Sequence, residues 1–323
     1  MRVPLRLLAA LALSLSCAAP ALGTASAASP AAEKRVVRGT DGYLFIAQDW
    51  SVPCQYRGQS AATADRMAGF VAAVRRSGRE ARIVLGPDKA TLRVGNLPKQ
   101  VPLKACGQTE KDAVWSAVHQ RLGSALVDLR KPLAGAGARW QTYYRQDTHW
   151  TPTSGTVYAR SVAASFDPVV GRRLRTEPAT YTRRGDLANV LGIPGEETVQ
   201  GLQTVNPGVQ VEERAREDQG IGMGSRHFTA TPPPDDLGAV VPGKTLFIGD
   251  SFDGTVSTQV APAFADSTFL WPDGETDATA LAQRIGDFDR VVVMRVERFS
   301  SQWRPYDADV VKALAGLPKR RAL

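Results

Sequence analysis

The chain has 323 residues, 43% of them hydrophobic, enough for one large α/β domain or two small ones. Its formal net charge is +8, which suits anionic polymers, but no basic block interleaved with aromatics is present and no nucleic-acid partner is expected. Three cysteines and three histidines limit metal sites: Cys54 and Cys106 have no Cys-x-x-Cys or His partner at ligand spacing, so no zinc is expected.

The first residues read as an export signal over 1–27, with the domain following over 28–323. Met1 to Arg6 carries positive charge, Leu7 to Leu15 is apolar, and Ala25-Ser-Ala27 has the small residues of a cleavage site. The apolar run is shorter than the roughly 20 residues a bilayer span needs. An exported chain is expected, an uncleaved anchor being the alternative. Removal of the segment takes Cys17 with it and leaves Cys54 and Cys106, which in an oxidising compartment pair most simply as a disulfide; two free thiols are the other reading.

Further along, a turn at Asp41-Gly42 feeds the apolar Tyr43-Leu-Phe45 as in a hairpin. Met67, Phe70, Val71 and Val74 mark an amphipathic helix over about 64–76. Ala81 to Leu85 reads as a buried strand followed by the loop Gly86-Pro-Asp-Lys89. Thr109 and Asp112 resemble a capping box opening a helix through Val114, Trp115, Val118 and Leu122. Leu126 to Leu129 is a short strand, and Thr151-Pro-Thr-Ser starts a helix carrying Val157, Tyr158, Val162 and Phe166. Residues 199–243 lack clear periodicity and read as a surface excursion or a segment over the site. Thereafter come a strand at Thr245 to Ile248, a helix near 278–285, the strand Arg290 to Val296 and a last helix over about 307–314. This alternation predicts a three-layer α/β sandwich with a mostly parallel sheet.

The chemistry concentrates where the 245–248 strand meets Gly249-Asp-Ser-Phe252. A serine there sits on the sheet rim, beyond a strand's carboxyl end, where open α/β sheets place ligands. Ser251 needs a base and an orienting acid. Asp147 and His149 are two residues apart, so an extended segment projects both to one side. Ser251 is thus the candidate nucleophile, His149 the base and Asp147 its orienter. The structural alternatives are a packed His149 beside Trp150 and Ser251 as a helix cap; Asp250 is assigned a capping role. Backbone N–H groups of Ser251 and Phe252 are candidate oxyanion donors. His119 and His227 have no acidic residue at suggestive spacing and are read as structural.

Five patches carry a family likeness: Gly39-Thr-Asp-Gly-Tyr-Leu-Phe45; Gly86-Pro-Asp-Lys-Ala-Thr91 with Leu97-Pro98; Asp147-Thr-His-Trp150 with Gly155; Gly249-Asp-Ser-Phe252; and Val296-Glu-Arg298. Gly185-Asp-Leu187 is a weaker sixth. On these the chain resembles the periplasmic alginate O-acetyltransferases of the J and X type, whose catalytic domain is similar to the SGNH hydrolases with permuted motif order. The resemblance implies a Ser251–His149–Asp147 triad moving acetyl groups to hydroxyls of an exported polysaccharide, the donor being supplied by a separate integral-membrane acyltransferase. No cofactor is expected, coenzyme A included. The chain departs from the family pattern at Tyr43 and Arg295, which leaves the glycan unassigned. An acetylesterase using the same residues and a non-catalytic polysaccharide-binding protein are the competing functions. Lys89, Glu297 and Arg298 are read as a buried ion-pair network whose members contact one another, with a polyanion-facing role for Lys89 or Arg298 as the alternative.

Overall fold

The computed structural model describes residues 35–218, 224–272 and 277–320; the segment read as an export signal lies outside the described residues. In chain order the strands and the helices of eight or more residues are β1 (Val36–Arg38), β2 (Leu44–Ile46), α1 (Gln48–Gln55), α2 (Ser60–Arg76), β3 (Glu80–Gly86), α3 (Lys104–Leu122), β4 (Leu126–Asp128), α4 (Arg130–Gly137), α5 (Pro152–Phe166), β5 (Arg175–Arg184), β6 (Glu196–Val205), β7 (Gln210–Asp218), β8 (Gly224–Thr231), β9 (Val241–Ile248), β10 (Phe264–Leu270), α6 (Ala278–Gly286), β11 (Arg290–Val296) and α7 (Ala308–Ala315).

The central sheet runs in the order β4-β3-β11-β9-β10-β8-β7. The first five strands are parallel; β8 joins β10, and β7 joins β8, antiparallel. Strands with apolar residues at nearly every position require cover on both faces, and the side-chain alternation supplies it. Leu246, Ile248, Val291 and Val293 face one core with α2, α3, α6 and α7. Phe247, Val292 and Met294 face the other with α4 and α5. The result is the expected three-layer α/β sandwich.

Two expectations fail. The described residues of 199–243 are not irregular, since they hold the end of β6, β7, β8 and the start of β9, although Arg216 and Arg226 do border the cleft beside Ser251, as the reading of a segment over the site expects. The β7 sequence offers no apolar alternation because it is an edge strand, exposed along its charged residues Glu212, Glu213 and Arg214, as edge strands are when they must resist pairing with other chains. Helix α3 starts at Lys104 rather than Thr109. Thr109 Oγ1 bonds back to the Ala105 carbonyl at 3.0 Å and Asp112 accepts from Gln108 at 3.0 Å, so neither serves as a cap.

Cys54 on α1 and Cys106 on α3 form a disulfide, with Cα atoms 5.4 Å apart. Two small antiparallel hairpins, β1–β2 and β5–β6, lie outside the main sheet. Hairpin β5–β6 is docked on α5, where Leu202 N donates to Thr153 Oγ1 at 3.0 Å. No helix among the described residues is long and apolar enough to cross a membrane.

Candidate active site

The serine turn follows β9 directly. Only glycine fits at position 249, because a Cβ there would collide with the Asp253 side chain. Asp250 then caps the short helical turn Ser251–Gly254, its Oδ1 accepting from Phe252 N at 2.9 Å. The other oxygen, Oδ2, accepts from Val296 N at 3.0 Å, tying the turn to the end of β11. Asp250 is therefore structural, as expected, while Phe252 N–H is spent on this cap. That overturns Phe252 as an oxyanion donor. Ser251 N–H has no hydrogen-bond partner among the described residues and is the donor left.

Ser251, His149 and Asp147 come together. Ser251 Oγ lies 2.8 Å from His149 Nε2, and His149 Nδ1 lies 2.6 Å from Asp147 Oδ1. With the proton assigned to Nδ1, the ring donates to the carboxylate and Nε2 faces the serine as acceptor; Arg183 Nη2 also lies 3.2 Å from Nδ1. Asp147 is buried, and its oxygens are filled by N–H donors. Oδ1 also accepts from His149 N at 2.8 Å, while Oδ2 accepts from Arg183 Nε at 2.8 Å and Asp186 N at 3.1 Å. Burial alone would raise this carboxyl, but the His149 hydrogen bond and the charges of His149 and Arg183 outweigh it and hold it well below the ordinary carboxylate range. Asp147, His149 and Asp186 bring ligand atoms within 4.8 Å of one another; with Asp147 saturated by N–H donors and a guanidinium alongside, the donor set suits a proton relay rather than a metal.

Arg183 and Asp186 were not singled out in the sequence as site residues. Arg183 stands near the end of β5, 36 positions from Asp147, with no signal of its own. Asp186 lies in the weak sixth patch and accepts from Thr148 N at 2.7 Å, bracing the loop from outside. Gly185 is constrained to be glycine there, since a Cβ would strike the Gln146 carbonyl.

The loop is also held from below. Lys89 is buried and its Nζ donates to three carbonyls, Tyr144 O at 3.0 Å, Arg145 O at 3.1 Å and Asp147 O at 2.7 Å. Burial pulls this ammonium down to about 8 despite the surrounding carboxylates. The hairpin patch joins in, with Leu44 N donating to Arg145 O at 2.8 Å. Glu297 and Arg298 are buried too, so the network is structural. They form no ion pair with each other or with Lys89, contrary to expectation. Arg298 pairs with Asp49 and Asp88, whereas Glu297 pairs with Lys111 at 3.1 Å and accepts from Trp115 Nε1 at 2.6 Å. The reason is electrostatic: each buried charge needs an opposite one, and Asp49, Asp88 and Lys111 supply partners that sequence spacing did not reveal. Arg295, the departure from the family pattern, stacks 4.1 Å above Trp303 and approaches Asp250 Oδ2 at 3.5 Å, behind the serine turn.

The relay opens into a cleft of about 270 Å³ bordered by Arg183, Arg216, Arg226, Asp253 and Trp271. Arg226 is oriented by a two-pronged ion pair with Glu213. Asp253, buried beside the serine, accepts from Tyr158 OH at 2.8 Å and is pushed up to about 7 by burial. His119 and His227 lie apart from the cleft, against Asp128 at 2.9 Å and Asp266 at 3.2 Å.

A sequence profile described as "SGNH hydrolase-like domain, acetyltransferase AlgX" matches residues 36–235, which include Asp147 and His149 and stop before Ser251. The probable alginate O-acetylase AlgJ of Pseudomonas putida is 26% identical over 167 residues, 48% of this chain and 42% of that protein. The chain thus spans less than half the length of that relative. Among solved structures, the O-acetyltransferase domain of P. putida AlgJ superposes with a TM-score of 0.56 at 18% identity, covering 87% of this chain and 98% of that one. Bacillus cereus PatB1 gives 0.57 at 12% identity over 84% and 98%, and Pseudomonas aeruginosa AlgX gives 0.54 at 16% over 90% and 71%. At these identities the superpositions establish the SGNH-like fold, and the profile match over more than half the sequence establishes the lineage: the chain belongs to the AlgX family of SGNH hydrolase-like acetyltransferase domains.

Proposed function

We propose that the protein is an exported O-acetyltransferase that moves an acetyl group through Ser251 onto hydroxyls of a secreted or cell-wall polysaccharide. The observation that carries this reading is the unbroken relay from Ser251 Oγ through His149 to Asp147, at 2.8 and 2.6 Å, at the mouth of an open cleft in a member of an acetyltransferase family. The name of the P. putida relative, an alginate O-acetylase, supports a polysaccharide acceptor. The apolar leader and the Cys54–Cys106 disulfide support an oxidising, extracytoplasmic setting. An integral-membrane acyltransferase is the expected source of acetyl groups on the outer side of the membrane.

In the first half-reaction Ser251 Oγ attacks the donor's acetyl carbonyl while His149 Nε2 takes the hydroxyl proton. Asp147, pinned by Arg183 and two backbone N–H groups, holds the ring and offsets the charge of the imidazolium. The oxyanion is received by Ser251 N–H. Collapse breaks the bond to the leaving group, which takes the proton from His149, and leaves acetyl-Ser251. In the second half-reaction a sugar hydroxyl gives its proton to Nε2 and attacks the acetyl carbon. The tetrahedral intermediate expels Ser251 Oγ, which recovers the proton. Transfer rather than hydrolysis requires the sugar to outcompete water in the cleft, which Arg183, Arg216 and Arg226 border.

The test is acyl partitioning. Purified protein is supplied with a chromogenic acetyl ester and a panel of neutral and anionic oligosaccharides, and acetylated sugar is detected by mass spectrometry. Acetylated sugar that disappears in Ser251→Ala is the expected result. Acetate as sole product across the panel would replace the transferase with an esterase.

A further inference from the structure

A second concave site lies away from the relay, where the short helix Pro168–Arg173 leads into β5. Arg160, Arg172, Arg173, Leu174, Arg175 and Pro207 enclose about 260 Å³. Four guanidinium-bearing side chains thus border one cleft. Arg160 donates to the Leu174 carbonyl at 2.7 Å, and Arg173 is paired with Asp236. Arg173 Nε is buried with no partner. The exposed Arg172 and Arg175 have no ion pair or side-chain hydrogen bond among the described residues. Like charges gathered around one concavity repel, and a single carboxylate, already engaged by Arg173, does not offset them. Such a focused positive field concentrates anions, and guanidinium forks match carboxylate and phosphate oxygens.

The position of this cleft gives it a direction. Arg175 opens β5, exposed, and Arg183 nearly closes it, partly buried, so the two stand at opposite ends of one strand. Eight steps of strand place them roughly 26 Å apart. Arg183 is the residue that holds Asp147. One strand therefore joins the arginine cleft to the relay, over a distance that a polymer of several sugars spans and a monosaccharide does not.

We infer that the Arg160/Arg172/Arg173/Arg175 cleft is an anchoring site for an anionic glycan chain, gripping carboxylate or phosphate groups several sugars away from the hydroxyl being acetylated. Anion binding stands on the cleft alone; its link to acetylation rests on the proposed function.

The experiment titrates the purified protein with a hexameric oligogalacturonate, a glycerol-phosphate oligomer and a neutral cello-oligosaccharide by calorimetry, at low and high salt. Wild type is expected to bind an anionic oligomer in preference to the neutral one, and more weakly as salt rises. The responding arm identifies carboxylate or phosphate as the ligand group. The double variant Arg172→Glu/Arg175→Glu should weaken that binding by about tenfold or more, whereas Arg172→Lys/Arg175→Lys keeps most of it. Hydrolysis of a small chromogenic acetyl ester should be the same in both variants and wild type, which also reports that they are folded. Equal affinity of wild type and the glutamate variant for the anionic oligomers, or no preference of wild type for them over the neutral one, would overturn the anchor. Charge-dependent binding together with no transfer to any acceptor would remove the transferase reading and leave the anchor standing.

Discussion

Two histidines in this protein have nearly the same company. His149 sits 2.6 Å from Asp147, which Arg183 also holds; His119 sits 2.9 Å from Asp128, which Arg130 also holds at 2.7 Å. Burial pushes against ionisation at both aspartates, and in both the hydrogen bonds and charges of these neighbours hold the carboxyl below its ordinary range. A His–Asp–Arg cluster is thus not what sets the candidate site apart. The difference lies in which ring nitrogen faces the acid. His119 spends Nε2 on Asp128, on a side chain 49% exposed. His149 spends Nδ1 on Asp147 and turns Nε2 to Ser251, on a side chain 12% exposed. Orientation of the ring, braced by N–H donors on both Asp147 oxygens and by Lys89 beneath the loop, gives the proposed relay its geometry from parts that at His119 lie half-exposed.

The largest expected effects come from cutting the relay. Ser251→Ala should abolish turnover of an acetyl ester, and Asp147→Asn should lower kcat by roughly 10⁴, because the amide favours the wrong tautomer. Asp128→Asn should leave kcat within about twofold. Wild-type turnover by Asp147→Asn, measured in steady state, would erase the distinction between the two pairs.

A smaller effect tests the bracing. Arg183→Gln should lower kcat roughly tenfold to a hundredfold by loosening Asp147, while Arg130→Gln leaves it unchanged; equal rates for the two variants would show that Arg183 does not position the relay. Acid stability sharpens the comparison further. A carboxyl depressed in the folded state stabilises the fold fully above its unfolded value and loses that contribution as pH falls through the folded value. The melting-temperature gap between wild type and Asp147→Asn should therefore be constant from about pH 5 to 7 and close below about pH 4. The gap for Asp128→Asn should follow the same direction with a smaller amplitude, since that side chain is partly solvated. A gap that widened in acid would contradict the depressed carboxyl. Smallest of all, His119→Gln should change neither activity nor stability beyond about 0.5 kcal/mol.

Much of this architecture was legible locally. Apolar runs such as Arg290 to Val296 became the strands expected of them, and Ser251 was placed at a strand end because Gly249-Asp250 interrupts the apolar run there. Edge strand β7 was not legible, since exposure on its charged face removes the apolar alternation that marks a half-buried strand. The start of α3 is hidden in the sequence because Thr109 and Asp112 satisfy a capping pattern yet bond within the helix. Arg183 is not legible because one arginine in an arginine-rich chain carries no pattern.

By itself, then, the sequence determined the alternation of β3, α3, β4, α5, β9, α6, β11 and α7, the three-layer class and the short list of candidate site residues, but not the strands β5 to β8 or β10. These depend on periodicity and turn chemistry over a few residues. Only the tertiary structure decided that Ser251 meets His149 across 102 positions, and that Glu297 accepts from Asp88 N across 209. It likewise decided that Phe252 N–H is already taken while Ser251 N–H is not. Hydrogen bonds and buried ion pairs are selected by atomic distance and by the cost of leaving a polar group unpaired, and separation along the chain carries neither quantity.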